Sequence, residues 1–315
     1  MDILESTRPV FDRRRFVRTD ADAIARWAAT VDPGAICLPT QPHELMPKAD
    51  PQRLANLVLL LDSLNFCFWA TPPWLVTYRG RKWGRYYALV ASLARAVEAD
   101  KSWYKAAWWK CVTRDDLAEV FRGEGEIPML SERAAIVREI GRNLSETYGG
   151  SFLNLLEAAR YDAAEIARTL ARTFPSFADK AEYEGQAVWI LKRAQICAAD
   201  VAVAMKAAGG PAITGLQRLT AFADYRLPQA LRHLGIMRLE QGLEERIERC
   251  EEIPAGSPEE IELRVHTIHA VECMHQALAQ RGINKAVWLI DEWLWQRSHD
   301  RDVEIQHHRT RTIWY

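Results

Sequence analysis

The 315-residue chain lacks most of the marks by which a sequence announces its chemistry. Its six cysteines, at positions 37, 67, 111, 197, 250 and 273, form no Cys-x-x-Cys pair. That excludes a zinc knuckle and a thioredoxin-type redox motif, and a chain this long needs no disulfide framework, so reduced thiols in a cytosolic protein are the reading. Charge of one sign is missing too. Forty-one basic against 42 acidic residues leave a formal net charge of -1, whereas polyanion binders carry a basic excess. No G-x-G-x-x-G, Walker A, G-x-S-x-G or H-E-x-x-H sequence occurs, which removes the main support for dinucleotide, P-loop, α/β-hydrolase and zincin chemistry. Residues 1–15 carry charges where a signal peptide needs an apolar stretch. The most apolar run, Leu54 to Val76, is broken by Asn56, Asp62, Asn65 and Pro72-Pro73, so it does not read as a membrane span. The expectation is a soluble, cytoplasmic protein with no membrane partner.

Half the residues are apolar (49%), enough to offset chain entropy and exclude whole-chain disorder. The length fits one large domain or two lobes. Glycine and proline are sparse, β-branched runs are short, and apolar residues recur at helical spacing. Helices are expected over Pro51–Trp69, Arg85–Ala99, Ser131–Tyr148, Ser151–Arg160, Ala163–Thr173, Tyr183–Ala208, Leu227–Leu234, Glu240–Cys250, Ser257–Gln280 and Lys285–Arg297. Asp50-Pro51 and Ser257-Pro258-Glu259-Glu260 are helix openings, and Gly149-Gly150 is a stop. One short hairpin is expected, from Trp74–Tyr78 through Arg79-Gly80 to Lys82-Trp83. The fold class is mainly α, multi-helical, with at most that hairpin. No repeat suggests a solenoid. Twelve tryptophans are many; most should be core, and a few could wall a flat ligand.

Three segments place polar groups among aromatics. If the first helix runs to Trp69, Asp62, Asn65, Phe66 and Trp69 share a face. Asp62 and Asn65 then either bridge neighbouring backbone or read the edge of a planar base. Lys192-Arg193-Ala194-Gln195 lies in an apolar stretch, where Lys192 either snorkels to solvent or sits against an apolar wall with a tunable pKa. Arg193 and Asp200, seven apart, could share a network. Asp224 lies between Phe222 and Tyr225, just before a helix. It is either a turn residue paired to Arg226 or a carboxylate placed to stabilise positive charge on a sugar. His266, His269 and Glu272 mimic a metal set, but two steps of three residues leave the outer pair about 120° apart on a helix. Half-exposed helix histidines, and no metal, are the expectation.

Taken together, these segments resemble the queuosine 5′-phosphate N-glycosylase/hydrolase family. The resemblance rests on Asp62–Trp69, Gly149-Gly150-Ser151-Phe152-Leu153-Asn154, Lys192–Ile196, Phe222-Ala223-Asp224-Tyr225-Arg226-Leu227-Pro228-Gln229 and the closing His308–Tyr315. It runs in order from about Val10 to Tyr315. Leu227 and Trp314 depart from the family pattern, by an aliphatic and an aromatic exchange. The resemblance implies a single all-helical unit over residues 1–315, similar to the helix-hairpin-helix DNA glycosylases, with a cleft between two lobes if two are present. It implies release of queuine from queuosine 5′-monophosphate, with a catalytic aspartate at Asp224 and a partnering lysine at Lys192. Water is the only co-reactant, so no cofactor is expected.

Such a ligand makes further demands. Its guanine-like edge suits Asp62 and Asn65; its flat ring suits a subset of Phe66, Phe68, Trp69 and Tyr225. Phe66 and Phe68 are two apart, so one of them should face the core. Its phosphate needs cations, among which Arg193, Arg226, His308 and Arg309 are not ranked by sequence. The partner is thus a small molecule, with no stable nucleic-acid binding. Two other readings compete: base excision on DNA or RNA, which needs a basic face, and a non-catalytic helical module that binds a nucleoside or tRNA.

Overall fold

The computed structural model describes residues 2–38 and 45–315. Fourteen α-helices occur among these residues, joined by three small two-stranded sheets. The mainly α expectation therefore holds, but the sheet content exceeds the single hairpin expected. Leu75–Tyr78 and Arg81–Gly84 form that hairpin. A second one, Lys180–Tyr183 with Gln186–Trp189, stands where a helix from Tyr183 was expected. Its turn residues Glu184 and Gly185 both have positive φ, at 49° and 79°. That is the two-residue turn whose twist matches paired strands. The third sheet pairs Val17–Thr19 with Met237–Leu239, far apart in the chain. Local pattern cannot announce it.

The helix opened by Asp50, whose carboxylate takes the Arg53 amide at 2.9 Å, ends at Ser63 and not at Trp69. Buried cations stop it. Arg133 donates to the carbonyls of Leu64 and Phe66, each at 2.5 Å, and to Cys67 at 3.2 Å. Arg193 donates to the carbonyl of Ser63. Lys192 Nζ lies 3.4 Å from the Asn65 carbonyl. A helix C-terminus exposes unpaired carbonyls and a negative dipole end; Arg193 meets the Ser63 carbonyl there, and Arg133 and Lys192 hold the carbonyls of the residues that follow. The chain then turns at Cys67, whose amide donates to the Tyr315 carbonyl at 2.8 Å. Residues 64–69 are thus not helical, and the shared face expected for Asp62, Asn65, Phe66 and Trp69 does not exist.

Apolar side chains collect in three cores. The largest surrounds the buried helix Pro51–Ser63 and includes Arg85–Ala99, Leu130–Tyr148, Ala163–Thr173 and Lys192–Ala208. The second gathers Ala21–Thr30, Arg226–His233, Pro258–Ala279 and Val287–Arg297. The third lies between Ile3–Arg13, the second hairpin and Ile261, Val265 and Ile268. Consecutive residues Ala221, Phe222 and Ala223 belong to the second, first and third cores respectively. The segment that leads into Asp224 therefore runs through the junction of all three.

Among the described residues, no helix is long and apolar enough to cross a membrane. His266 and His269 are buried, not half-exposed. They bond Thr19 and Thr7 hydroxyls at 3.0 and 2.9 Å. Among the described residues, no cluster of three or more metal-type ligands forms.

Candidate active site

A cavity of about 1130 Å³ opens between the first and second cores. One wall is a face of Lys192–Ala208 that presents Lys192, Ile196, Ala199, Asp200 and Val203. Leu54, Val58 and Leu61, on one face of Pro51–Ser63, extend it. The opposite wall is Trp288, Asp291, Glu292 and Trp295 from Val287–Arg297. Residues 222 and 224–227 close one side, and Arg85, Tyr86 and Tyr87 another. Ring centroids of Tyr86 and Tyr87 lie 6.1 and 6.0 Å from that of Trp295, so this end is aromatic. Size and lining suit a mononucleotide: mostly apolar, with a few converging polar groups.

Asp224 is 8% exposed and faces this cavity. Its Oδ1 accepts the amides of Arg226 at 2.6 Å and Leu227 at 3.1 Å, which opens the helix Arg226–His233. The carboxylate thus serves the turn through one oxygen. Its partner is the Arg226 backbone, not the Arg226 side chain. Neighbouring backbone is fixed by side chains from three elements. Gln195 accepts the Thr220 amide at 2.9 Å, Asp291 accepts the Phe222 amide at 2.6 Å, and Arg264 donates to the Ala223 carbonyl at 3.2 Å.

Lys192 does not snorkel; it is buried and lines the same cavity. Burial lowers its pKa, and the negative charges of Asp224 and Asp62 act in the opposite sense. Lys192 and Asp224 therefore meet at one cavity, within electrostatic reach, as the sequence suggested. A buried amine beside carboxylates is a setting in which proton affinity is tunable.

The other expected residues divide. Asn65, Phe66, Phe68, Tyr225 and Arg226 all line the cavity. Both phenylalanines do so, although two apart, because residues 64–69 are irregular; neither is turned away as alternation on an element would require. Two guanidinium groups lie over the Phe66 ring, Arg133 at 4.1 Å and Arg193 at 5.1 Å from its centroid. Asp62 is fully buried behind this wall, not on it. Asn65 Nδ2 donates to its Oδ1 at 3.3 Å, and the buried Cys197 thiol lies against the same carboxyl. Burial raises the Asp62 carboxyl to about 7. Arg193 is spent on the carbonyls of Ser63 and Ser176 and does not bond Asp200, so the suggested shared network is absent.

Trp69 lies elsewhere, in a separate recess of about 610 Å³ with Arg309 and Arg311. His308 is buried against the Tyr315 hydroxyl at 3.2 Å. Of the four cations considered for a phosphate, only Arg226 lines the main cavity. Its Nη1 donates to Gln229 at 2.8 Å, while Nε and Nη2 have no hydrogen-bond partner among the described residues. Arg85, which sequence reasoning missed, also lines the cavity and lowers the Arg226 pKa through like charge, after burial. Asp200, Asp291, Glu292, Tyr86, Tyr87 and Trp295 were missed as well. The pair Asp291-Glu292 inside a Trp-rich apolar helix was a readable signal; Tyr86-Tyr87 at an ordinary helix start was not.

The model of the family described as queuosine salvage protein matches residues 45–315. Among the relatives, queuosine 5′-phosphate N-glycosylase/hydrolase of Sphaerobacter thermophilus is 42% identical over 316 residues, covering 100% of this chain and 98% of its own. The mouse protein of the same name is 33% identical, with 99% and 98% covered. The fission yeast one is 30% identical, with 82% and 79% covered. With this cavity, these residues around it and similarity along the whole chain, the protein belongs to the queuosine salvage protein family.

Proposed function

We propose that this protein hydrolyses the N-glycosidic bond of queuosine 5′-monophosphate and releases queuine for salvage into tRNA modification. One observation carries the reading beyond family membership: Asp224 offers a carboxylate to a nucleotide-sized cavity that also holds the buried Lys192. Cleavage of a ribosyl bond develops positive charge on the sugar. A carboxylate beneath the anomeric carbon stabilises that charge or aligns and deprotonates the attacking water. Water adds to C1′, the C1′–N bond breaks, and the base leaves with the electron pair and takes up a proton. Queuine is a 7-deazaguanine with no N7 to protonate, so help to the leaving group comes from another ring edge. Lys192 either supplies that donor or fixes the Asp224 geometry.

The remaining roles follow from placement. Phe68 and Tyr225 stack on the base, Phe66 completes the wall with Arg133 and Arg193 over its ring, and Asn65 reads the base edge. Asp62 acts on Asn65 and Lys192 from behind the wall. Arg226, with Arg85 beside it, receives the 5′-phosphate through Nε and Nη2. Arg193 holds the wall and does not touch substrate. Trp69 belongs to the other recess. The chain acts as one unit with its site at the junction of its cores. The carboxylate at a helix start beside a cleft supports a relationship to the helix-hairpin-helix DNA glycosylases. A balanced charge and a cavity of mononucleotide size support a small-molecule partner in the cytoplasm over a polynucleotide or a membrane.

The test is free-base release by the purified protein from queuosine 5′-monophosphate, the unphosphorylated nucleoside and queuosine-containing tRNA in parallel. Queuine from the monophosphate above the other two is expected. Binding of the monophosphate with no release would leave a binding module and remove the catalytic roles.

A further inference from the structure

Lys192 and Asp224 stand on different elements, 32 positions apart in the chain. A single buried ion pair touches the backbone of both segments. Asp179 and Arg264 are each 1% exposed. Their contact is two-pronged: Arg264 Nη1 donates to Asp179 Oδ1 at 3.0 Å and Nη2 to Oδ2 at 2.6 Å. The same Oδ2 accepts the Lys192 amide at 3.0 Å, and the Asp179 carbonyl accepts the amides of Ile190 and Leu191 at 3.1 and 3.2 Å. Leu191 precedes the helix in a left-handed conformation, with φ at 55°, and its side chain provides no cap. Asp179 supplies that cap from outside the helix. On the other side, Arg264 Nε donates to the carbonyl of Ala223, the residue before Asp224. The guanidinium also lies 4.4 Å from the Tyr315 ring centroid, and Glu260 approaches Nη1 at 3.7 Å.

We propose that Asp179 and Arg264 are positioning residues that set the separation of Lys192 from Asp224. Neither lines the cavity, so they act on turnover and leave substrate affinity nearly alone. A buried ion pair is weak evidence of stability, since desolvation offsets its attraction, and a register-setting role is the best-attested use of such pairs. The planar fork of arginine is what this role requires. It bonds a carboxylate with two nitrogens and keeps the third for a carbonyl, whereas an ammonium on a flexible stem cannot hold all three directions. The inference rests on the roles given above to Lys192 and Asp224.

Arg264→Lys keeps the charge and discards the fork; Arg264→Gln discards both. In folded Arg264→Lys, kcat for queuine release should fall roughly tenfold to a hundredfold, the loss that a misplacement of about 1 Å brings. KM should stay within about threefold, and Arg264→Gln should be worse. A second readout needs no turnover: titration of lysine Nζ by NMR, with the Lys192 signal identified by its loss in Lys192→Met. Increased separation from Asp224 in Arg264→Lys should move the Lys192 pKa down relative to wild type. Unchanged kcat together with an unchanged Lys192 titration would overturn the proposal, and so would a loss in KM alone. If wild type releases no queuine, the functional reading fails by itself. The NMR shift then decides whether the pair sets the lysine–aspartate separation.

Discussion

Asp224 accepts the Arg226 amide at 2.6 Å through Oδ1, the same oxygen that takes the Leu227 amide. One carboxylate therefore both opens a helix and faces the cavity. The two oxygens divide the work. An asparagine can keep the capping bonds through its amide oxygen, but it carries no charge.

Asp224→Asn is therefore expected to fold with a near-native unfolding midpoint and to lose turnover. Monophosphate affinity should stay within roughly tenfold, because charge stabilisation of the transition state is what is removed. Turnover near the wild-type level would remove Asp224 from the mechanism.

Lys192→Met keeps the apolar stem and deletes the ammonium. Its kcat should drop by a factor equal to or smaller than that for Asp224→Asn. Steady-state kinetics that match wild type would return Lys192 to a structural role.

Arg226 lines the cavity, and two of its nitrogens have no hydrogen-bond partner among the described residues. A charge-assisted hydrogen bond is worth about 1.5–3 kcal/mol, so Arg226→Gln should raise KM for the monophosphate roughly tenfold to a hundredfold. The unphosphorylated nucleoside should be affected little. Equal losses on both substrates would place the phosphate elsewhere.

Asp62 makes stability depend on pH. Its ordinary value of 3.8 is raised to about 7 by burial. Between those values the native chain holds a proton that the unfolded chain has released, so stability falls as pH rises through the window, and the penalty is complete above 7. Asp62→Asn should make the fall of the denaturation midpoint between pH 5 and 8 shallower, with Asp200 and Asp291, also raised by burial, keeping part of it. A wild-type-like slope in the variant would show that another group is responsible.

The buried histidines act in the opposite sense. Burial lowers His266 to about 3 and His269 to about 4. Below the ordinary value of 6.5 the unfolded chain gains protons that the native chain refuses, so stability is lost as pH falls toward 4. His269→Gln, whose amide can still meet Thr7, should lose less stability than wild type between pH 7 and 5. Urea titrations at the two pH values check this.

Sequence pattern was informative where structure is local. Asp50-Pro51 opens its helix as the capping rule demands, and Ala163–Thr173 and Arg85–Ala99 have the bounds expected. It failed where distant groups intervene. Apolar spacing continues from Ser63 to Trp69, but Arg133, Arg193 and Lys192 take the carbonyls that a longer helix would use. That early stop put Asp62 behind the cavity wall and Trp69 in another recess. Apolar spacing also hid Glu184-Gly185, whose positive φ values make a hairpin of a presumed helix start. The motifs around Asp224 and Lys192 singled out two residues that line one cavity. The buried pair that links their backbones was not legible, because Asp179 and Arg264 are 85 residues apart.

The passage of Ala221, Phe222 and Ala223 through three separate cores bears on how activity is lost. Many enzymes carry their chemistry on loops that loosen well before the body of the molecule. Here the strand of chain before the aspartate is a keystone: it cannot move until at least one core opens. Heat or denaturant should therefore extinguish catalysis and tertiary structure along a single curve, with no inactive but folded species between.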